Sequence, residues 1–415
     1  MHKLLIDSRF LKLCSGPFSV MSLFFLLVFI SCGNDNSIGV PELETVAVEM
    51  ITSTTAISGG IIKKEGGSEI LEKGVCWGPE SSPTVAGSHT LDGAGSSDFI
   101  SRLTNLLPHA TYHVRAYAVN SNGIGYGDDK ELKTLSVDGY NQIIADHTVV
   151  DQFNRIPSQY LQEVKKMWIV LAGESHAEAH MTGLSDLARD FPEFAVNVTN
   201  YGNPEGFGAS HLRASTATWG DVDHPSGWVY GYGEEDWCVY KDPPTFEYNE
   251  NAVLRTKAGI TYCNTHNLSI SAFGFIWCYD IEVNIHDYLR ATQEYVDYCI
   301  LKGYPTKVYF TTGPVDDYLS IGQNAWENHL RWEEVREYVK KDPTLILLDY
   351  ADILSYDNNS QVETTTWNGH IIPVIHPSNA KPDQTGHISN DGALRLAKAV
   401  WWMLARMAGW DGQSQ

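Results

Sequence analysis

From residue 167 onward, short apolar runs alternate with longer stretches in which apolar residues recur every three or four positions. The short runs predict buried strands, and the amphipathic stretches predict helices that follow them. This alternation is typical of an α/β fold in which helical crossovers join parallel strands. The predicted strands are 168–172, 194–198, 270–277, 307–311 and 345–348, and the predicted helices are 177–189, 285–301, 325–341 and 391–407.

Strands joined by short crossovers close most simply into a flavodoxin-like doubly wound parallel sheet. We therefore predict an α/β domain over residues 164–412. Between residues 200 and 260 the alternation lapses into a long insertion rich in Gly, Trp, Tyr and Asp. Its aromatic density argues against disorder, and insertions of this length are usually functional.

Residues 41–136 show a different pattern, in which apolar and polar positions alternate in short strands separated by Gly, Pro, Asn and Ser clusters. This is typical of an all-β antiparallel sandwich. The run Ala110-Thr-Tyr-His-Val-Arg-Ala-Tyr-Ala-Val-Asn120 resembles strand F of a fibronectin type III domain, where a tyrosine near the strand start fastens the corner. Such modules are usually spacers or docking units, so we assign this one no chemistry.

The first residues have the pattern of an export signal. Lys3, Arg9 and Lys12 precede the apolar run 18–30, which is too short for a structural membrane span. The run ends at Ser31-Cys32, which resembles a bacterial lipoprotein cleavage site and implies lipidation of Cys32; an ordinary signal peptide is the alternative. The predicted order is a signal peptide at 1–31, a tether at 32–40, the sandwich at 41–136, a junction with a lead-in helix at 137–163, and the α/β domain.

Composition narrows the range of functions. A chain of 415 residues that is 43% hydrophobic has enough apolar material for the cores of two domains. Its formal charge of −22 repels phosphate backbones and anionic lipids, which argues against nucleic acid as a partner and favours neutral ligands. The seven cysteines include no Cys-x-x-Cys pair, so we predict neither a zinc site nor a redox motif, and we expect no metal and no cofactor.

Candidate chemistry begins where the first predicted strand of the α/β domain ends. Gly173-Glu174-Ser175 interrupts the apolar run, so that Ser175 lies at the carboxyl end of a parallel strand, where open sheets bind ligands. A serine hydroxyl needs a base to take its proton, and His387, just before the last helix, is the best candidate. Other predicted strand ends that converge on this edge carry Asn200, Gly202, Asp280 and Asp316.

Gly173-Glu174-Ser175 near the domain start and His387, five residues before Gly392 near its end, resemble the first and last blocks of SGNH (GDSL-type) hydrolases. The resemblance spans roughly residues 167–410 and is stronger at the ends than in the middle. It implies a flavodoxin-like fold and cleavage of esters, often acetyl or acyl groups on polysaccharides. It also implies that Ser175 is the nucleophile, with a backbone N–H that helps bind the oxyanion, and that His387 is the general base.

The chain departs from the family pattern at several positions. Glu174 replaces the usual aspartate of the first block. In the last block, Gln384 occupies the position three residues before His387 where the family has an aspartate, so Asp383 is the candidate to orient His387. The family's Gly-x-Asn-Asp block has no counterpart, because Trp277-Cys-Tyr-Asp280 stands there. The side-chain amide for the oxyanion is therefore unassigned, and losing it typically costs about a hundredfold or more in rate. The open candidates are Gly202, Gly206 or Gly208 for the second-block glycine, and Asn200 or Asn203 for the amide.

The residues around Ser175 also have structural interpretations. Ser175 could cap the helix that follows it, because serine is a preferred N-cap residue. His176, Glu178 and His180 suggest metal ligands, but at helical spacing Glu178 faces away from the two histidines. The His-Glu-x-x-His arrangement of zinc hydrolases is absent. We therefore predict no metal site on this helix.

The acidic and aromatic residues leave alternatives open as well. Asp280 and Asp316 could form a carboxylate pair for glycoside hydrolysis. Equally, Asp316 could end its strand and Asp280 could hold the insertion. Several aromatic residues could stack on sugar rings or form a small core of their own: Trp228, Tyr232, Trp237 and Trp277.

Taken together, these patterns predict an SGNH-type serine esterase that removes acetyl or other acyl groups from carbohydrate. We expect it to be anchored through Cys32 to the bacterial cell envelope, on the periplasmic or the cell-surface face. Two alternatives remain open. One is a glycan-binding lipoprotein that keeps the fold without the oxyanion amide, and the other is a lipase-like esterase that acts on long-chain esters.

Overall fold

The computed structural model describes most of the chain between residues 38 and 413. At 175, 238–241 and 245–247 only the backbone is described. Cys32, the predicted signal peptide at 1–31 and the tether as far as residue 37 lie outside the described residues. The described ranges are 38–51, 55–107, 110–134, 142–173, 175–220, 226–229, 238–241, 245–268, 270–276, 284–313, 315, 321–381 and 388–413.

Two antiparallel sheets lie between residues 42 and 133. Their strands are β1 (Glu42–Thr45), β2 (Ala56–Lys64), β3 (Glu72–Gly78), β4 (Ser88–His89), β5 (Phe99–Leu103), β6 (Thr111–Asn120), β7 (Gly123–Tyr126) and β8 (Lys130–Lys133). One sheet has the order β1-β2-β5; the other has the order β4-β3-β6-β7, with β8 also paired to β6. Alternate residues of β6, including Val114 and Ala116, enter the core that the two sheets share. The all-β prediction for this segment therefore agrees with the structure.

The corner of this sandwich is fastened by a tyrosine. The hydroxyl of Tyr112, the second residue of β6, accepts a hydrogen bond from the backbone N–H of Leu107 at 2.9 Å. A tyrosine that bonds back to the backbone a few residues upstream is a recurrent feature of such sandwiches. The expectation of a tyrosine at the start of this strand is confirmed.

Residues 142–413 are built around a parallel sheet. The strands are β9 (Ile144–Ala145), β10 (Trp168–Ala172), β11 (Val196–Val198), β12 (Leu212–Ser215), β13 (Thr218–Trp219), β14 (Trp228–Val229), β15 (Cys238–Lys241), β16 (Thr245–Tyr248), β17 (Ile270–Phe275), β18 (Lys307–Thr311), β19 (Ile346–Leu348), β20 (Thr364–Trp367) and β21 (His370–Pro373). Seven of them form a sheet in the order β11-β12-β10-β17-β18-β19-β9, in which every neighbouring pair is parallel. The pairs β13–β14, β15–β16 and β20–β21 are separate antiparallel ladders.

The described helices pack in two groups. They are α1 (Ser158–Val164), α2 (Ser175–Asp190), α3 (Glu250–Thr265), α4 (Ile285–Lys302), α5 (Gly322–Lys340), α6 (Tyr350–Ser355) and α7 (Asn390–Met407), with 3-10 helices at His147–Arg155, Pro192–Phe194 and Pro204–Gly206. Helices α1, α2 and α6 contact α7, whereas α3 and α5 contact α4. Every residue of β10 is buried, as expected for a strand covered on both faces of its sheet.

The predicted elements and the structure agree best for the longest apolar runs. The strands predicted at 168–172 and 307–311 are β10 and β18, and each of the four predicted helices is present with ends within two or three residues. Two strands were not predicted, so the sheet has seven strands rather than five. Strand β9 lies in the segment predicted as a junction, and β12 and most of α3 lie in the segment predicted as an insertion.

The sandwich and the parallel-sheet region belong to one compact unit, Ile38–Gln415. Ile57 of β2 is 1% exposed and joins the same hydrophobic core as the parallel strands. Arg102 of β5 donates hydrogen bonds to Asp342 at 2.7 Å and to Asp297 of α4 at 3.0 Å. The sandwich is therefore packed and ion-paired onto the region that carries the candidate chemistry. No helix in the described part of the chain is both long and apolar enough to cross a membrane.

Candidate active site

The seven parallel strands end at a common edge, and that edge carries polar side chains. Asp146 and His147 follow β9, Thr312 follows β18, and Asp349 follows β19. At the other side of the sheet, Asn200 lies two residues after β11. Because carboxyl ends of parallel strands meet at one edge, this is where ligands bind in open α/β sheets.

Ser175 is the first residue of α2, three positions after the end of β10. Gly173, between them, has φ of +142°, a backbone conformation that residues with a Cβ rarely adopt. The side chain of Ser175 and all of Glu174 lie outside the described residues. The backbone N–H groups at a helix start have no intrahelical partner and carry partial positive charge, so this turn can stabilise a negatively charged oxygen.

The first two turns of α2 pack on Tyr350, the first residue of α6. The rings of His176 and His180 lie 5.8 Å and 5.5 Å from the Tyr350 ring, and all three residues are buried. Burial, with a smaller effect from His176, lowers the pKa of His180 to about 3. His180 is therefore a neutral packing residue at physiological pH. Among the described residues neither of its ring nitrogens has a hydrogen-bond partner.

Asp349 is held at the edge by hydrogen bonds from Arg336 and Thr312. Arg336 of α5 donates to both carboxylate oxygens, from Nε at 2.6 Å and from Nη2 at 2.8 Å, and Thr312 donates its hydroxyl at 2.9 Å. Burial alone would lower the pKa of Arg336, but Asp349 and Glu333 together raise it above its ordinary value. Asp349 also caps α6 by accepting from the N–H of Asp352. This cluster fixes the ends of β18 and β19 and the start of α6.

His147 and Asp352 form a second pair at the outer edge of the sheet. Asp352 Oδ2 lies 2.5 Å from His147 Nδ1 and 2.8 Å from its backbone nitrogen, and the Tyr356 ring stacks on the imidazole at 3.5 Å. Burial and the nearby charge of Asp349 raise the pKa of Asp352, and its bonds to His147 oppose that shift. The pair holds the 3-10 helix that starts at His147 against α6.

Asp146, His147 and Asp352 offer possible metal-ligand atoms within 4.8 Å of one another in the described part of the chain. Polar atoms of all three residues already make hydrogen bonds within the protein. Asp146 Oδ1 accepts from the N–H of Thr148 at 2.9 Å and from its hydroxyl at 2.6 Å, and Nδ1 of His147 is bonded to Asp352. We therefore assign no metal to this group.

Two residues predicted for the oxyanion region are described. Asn200 bridges the ends of β11 and β12, because its Nδ2 donates to the Thr216 hydroxyl at 2.7 Å and its Oδ1 accepts from the Thr216 N–H at 2.9 Å. Gly202 has φ of +82°, and its carbonyl accepts from the Trp228 indole at 2.8 Å. Of the other open candidates, Asn203 caps a 3-10 helix by accepting from the Glu205 N–H, and Gly206 and Gly208 are exposed.

Most of the remaining predicted site residues lie outside the described residues. These are Trp277, Asp280, Asp316, Asp383 and His387. The described chain ends at Lys381 and resumes at Ile388, and Ala380 and Ile388 form an isolated antiparallel bridge. The predictions for these five residues stay predictions.

Most of the polar residues at this edge were not predicted from the sequence. Asp349 directly follows the predicted strand 345–348, so the rule that selected Ser175 could have selected it. Arg336 gives no such signal, because it is one of several charged residues on α5. His147 and Asp352 depend on β9, a strand of two residues that has no recognisable pattern of its own.

The described cysteine side chains are not reactive. Cys76, Cys263 and Cys299 are buried free thiols. Burial raises the pKa of Cys76 to about 11 and those of Cys263 and Cys299 to about 12. Because the thiolate is the nucleophilic form, none of the three supplies a nucleophile near neutral pH.

No protein-family model and no curated protein matches the chain. Solved structures, among them fibronectin type III domains, match weakly over a small part of it. The sensor domain of the anti-sigma factor RsgI4 of Pseudobacteroides cellulosolvens is 20% identical and is covered completely, but it spans 24% of this chain with a TM-score of 0.19. The third fibronectin III domain of human KIAA0343 is 20% identical over 26% of this chain and 91% of its own (TM-score 0.19), and the domain of human collagen XX is 17% identical over 23% and 92% (TM-score 0.18).

Proposed function

We propose that this protein is a serine esterase of the SGNH type, with Ser175 as the nucleophile and His387 as the general base. One observation carries the proposal. Ser175 begins the helix that follows β10, and β10 is the strand at which the order of the sheet reverses, since β12 lies on one side and β17 on the other. In open α/β sheets the ligand crevice forms at such a reversal.

The strand order supports a flavodoxin-like fold for the parallel-sheet region. Strands β12-β10-β17-β18-β19 follow the 2-1-3-4-5 order of flavodoxin-like sheets, with β11 and β9 added at the two edges. Helix α2 also lies against the last helix: a Cβ on Gly183 would lie 2.0 Å from the carbonyl oxygen of Ala393 in α7. In sequence, Ser175 precedes Gly183 and His387 precedes Ala393, so both candidate residues lie upstream of this close approach.

The proposed reaction uses residues of this chain alone. His387 takes the hydroxyl proton of Ser175 as Oγ attacks the ester carbonyl, and the backbone N–H at the start of α2 stabilises the oxyanion. His387 then gives the proton to the departing alcohol, which leaves an acyl-serine. Water, deprotonated by the same histidine, releases the acid and restores the serine. Asp383 orients the imidazole.

The substrate we favour is an acyl ester of a neutral carbohydrate. The formal charge of −22 disfavours polyanions. We test the proposal by following acetate release from acetylated polysaccharide and hydrolysis of p-nitrophenyl acetate and palmitate. Ser175→Ala should remove both acetyl activities while the thermal unfolding midpoint is preserved. Activity that survives the substitution would reject the assignment, and a preference for palmitate would indicate a lipase-like esterase.

A glycan-binding protein without catalysis is the second candidate, and Asn200 favours it. The Nδ2 of Asn200 already donates to the Thr216 hydroxyl, and the contact given for Asn203 is through its Oδ1, which caps a short helix, so neither contact assigns a side-chain donor to the oxyanion. In that case the wild-type protein would hydrolyse no ester, and its affinity for a glycan would be unchanged by Ser175→Ala. Glycan-array binding of both forms distinguishes the two candidates.

We also propose that Cys32 is lipidated and anchors the protein to the cell envelope. The support is the sequence alone: a basic start, an apolar run and Ser31-Cys32. Metabolic labelling with an alkyne fatty acid should mark the wild-type chain, and Cys32→Ser should abolish the label. Cys14→Ser is the matched control and should leave the label unchanged; equal labelling of all three forms would contradict the anchor.

A further inference from the structure

An aromatic surface lies where the β20–β21 hairpin packs on the start of α5. The hairpin turns through Asn368 and Gly369, whose φ angles of +47° and +82° are typical of a two-residue turn between antiparallel strands. Trp367 and His370 flank this turn and pair across the strands, so their side chains leave the same face of the hairpin. A Cβ on Gly322, the first residue of α5, would lie 4.0 Å from Cδ1 of Trp367. The turn therefore presents its aromatic face to α5.

Three rings of this surface lie nearly parallel, and we call them the aromatic shelf. The ring of Trp326, in α5, lies 4.1 Å from the His370 ring at an angle of 21° and 6.4 Å from the Trp367 ring at 28°. His370 is exposed, and Trp326 and Trp367 are half-buried. The rings of the shelf thus pack on each other and stay partly exposed, so they offer flat apolar area to a ligand.

The aromatic shelf lies beyond the carboxyl edge of the parallel sheet. Helix α5 runs from the carboxyl end of β18 back to the amino end of β19. Arg336 of α5 reaches Asp349, which directly follows β19. Trp326 precedes Arg336 by ten residues, so it lies about 15 Å further out along the helix axis. The shelf is therefore on the side of the sheet where open α/β sheets bind ligands.

The hairpin and the start of α5 carry almost no charge. Between residues 361 and 373 the only formal charge is that of Glu363, and residues 321–326 carry none. Burial lowers the pKa of His329 in α5, and Glu333 opposes this shift, so His329 is neutral near pH 7. In a protein with a formal charge of −22, this uncharged surface favours a neutral ligand over an ionic one.

Buried donors beside the shelf have no hydrogen-bond partner within the described part of the chain. They are Nδ2 of Asn328 and Nε1 of Trp332, on residues that are each 2% exposed. The ring of His329 lies 5.7 Å from the Trp326 ring and 6.4 Å from the Trp332 ring, so it connects Trp332 with the shelf. Buried polar groups normally have a partner. This part of α5 therefore has hydrogen-bonding capacity that the described chain does not use.

We propose that the aromatic shelf is a subsite for a neutral polysaccharide chain. It deepens the proposed function, on which its role in the reaction rests, by naming where the carbohydrate part of the substrate lies. A sugar ring has an apolar C–H face that packs on flat aromatic rings, and its hydroxyl groups take hydrogen bonds at the edge of the ring. Aromatic area combined with a few polar groups is typical of sites for such ligands.

The test is affinity electrophoresis in native gels that contain unsubstituted xylan, deacetylated glucomannan or mixed-linkage β-glucan. We expect the wild-type protein to be retarded in at least one of these gels, and not in a gel with polygalacturonate, which is a polyanion. Trp367→Ala should weaken binding at least about tenfold, because it removes an aromatic anchor. Trp367→Tyr keeps a ring and should stay within about threefold of wild type. Ile371→Ala is the matched control, since Ile371 is 72% exposed on the other face of the hairpin, and it should leave retardation unchanged.

Three results would overturn the proposal: no retardation of the folded wild-type protein in any neutral gel, undiminished retardation of Trp367→Ala, or stronger binding to polygalacturonate. If Trp367→Ala does not fold, Trp367→Leu keeps apolar volume in the hairpin without a flat ring. Wild-type retardation of that variant would also overturn it.

The subsite and the esterase can fail separately, because the probes carry no ester. A wild-type protein that is retarded but hydrolyses no ester would reject the esterase and support the subsite. A protein that releases acetate from acetylated polysaccharide but is not retarded in any neutral gel would reject the subsite alone.

Discussion

Buried charged groups have different partners in the sandwich and at the carboxyl edge of the parallel sheet. In the sandwich, Lys73 is 2% exposed and its ammonium donates to the carbonyls of Gly95 and Ser97 and to the Ser97 hydroxyl. Burial lowers the pKa of Lys73, and nearby aspartates oppose the shift. At the carboxyl edge, by contrast, buried charges are paired with each other, as Asp349 is with Arg336.

The difference follows from topology. In the antiparallel sandwich, the Lys73 ammonium of β3 is bonded to residues 95–97, in the loop between β4 and β5. Parallel strands all end on one side, which gathers side chains from distant parts of the sequence at one edge. The arrangement in the sandwich stabilises the fold, whereas the arrangement at the carboxyl edge can also form a binding or catalytic site. Three substitutions test how these two regions are stabilised and whether they share a core, in order of decreasing expected effect.

The largest effect should come from Asp349→Asn. Breaking a buried ion pair by removing one partner typically costs about 3–5 kcal/mol, because the other charge stays buried. We expect a loss of that size in the free energy of unfolding, measured by urea titration. Glu337→Gln is the matched control, since the Glu337–Lys340 pair is exposed, and should change stability by less than about 0.5 kcal/mol. A loss below about 1 kcal/mol for Asp349→Asn would contradict the role assigned to this pair.

Next in size is Ile57→Ala, which tests whether the sandwich and the parallel sheet share a core. Removing a buried isoleucine to alanine costs about 2–5 kcal/mol. Because Ile57 packs with the core of the parallel sheet, both regions should lose stability together in a single unfolding transition. Ile371→Ala, at a position 72% exposed, is the control and should be near neutral. Two separate transitions, with only the sandwich affected, would show that the regions are independent.

The smallest of the three effects concerns pH and His180. Its folded-state pKa is lowered from 6.5 to about 3, so its contribution to stability is complete above about pH 6.5 and is lost as pH falls toward 3. Between pH 7 and pH 5 this amounts to about 2 kcal/mol. His180→Leu has no such group, so wild-type stability should fall by about 2 kcal/mol more than that of the variant over this interval. Parallel pH profiles would mean that the imidazole is not buried in the folded state.

How far the sequence predicts this fold depends on the length of each element. The run Trp-Ile-Val-Leu-Ala at 168–172 and the amphipathic pattern at 285–301 are unambiguous, and both elements are present. Helix α3 was missed because only two of its six buried residues, Val253 and Ile260, are large and apolar, which leaves a weak apolar stripe. Strand β12 was missed because Arg213 and Ser215 interrupt its four residues, although all four are buried.

The candidate site was predictable to the extent that it follows strand ends. Ser175 was predicted because an apolar run ends just before it, and Asp349 likewise follows directly after a predicted strand. Contacts such as Arg336 to Asp349, or Asn379 to the carbonyls of Leu354 and Tyr356, join residues on separate elements and depend on tertiary packing. No local pattern predicts them, because any of several arginines or asparagines satisfies the same local preferences.

The most direct test of the central claim is covalent labelling of the purified protein with a fluorophosphonate probe, with the adduct located by mass spectrometry. Such probes react with a serine only where a base and an oxyanion site are assembled around it. We predict one adduct, on Ser175, and none on the folded Ser175→Ala variant. The absence of an adduct on folded wild-type protein, or an equal adduct on the variant, would contradict the assignment of Ser175 as the nucleophile.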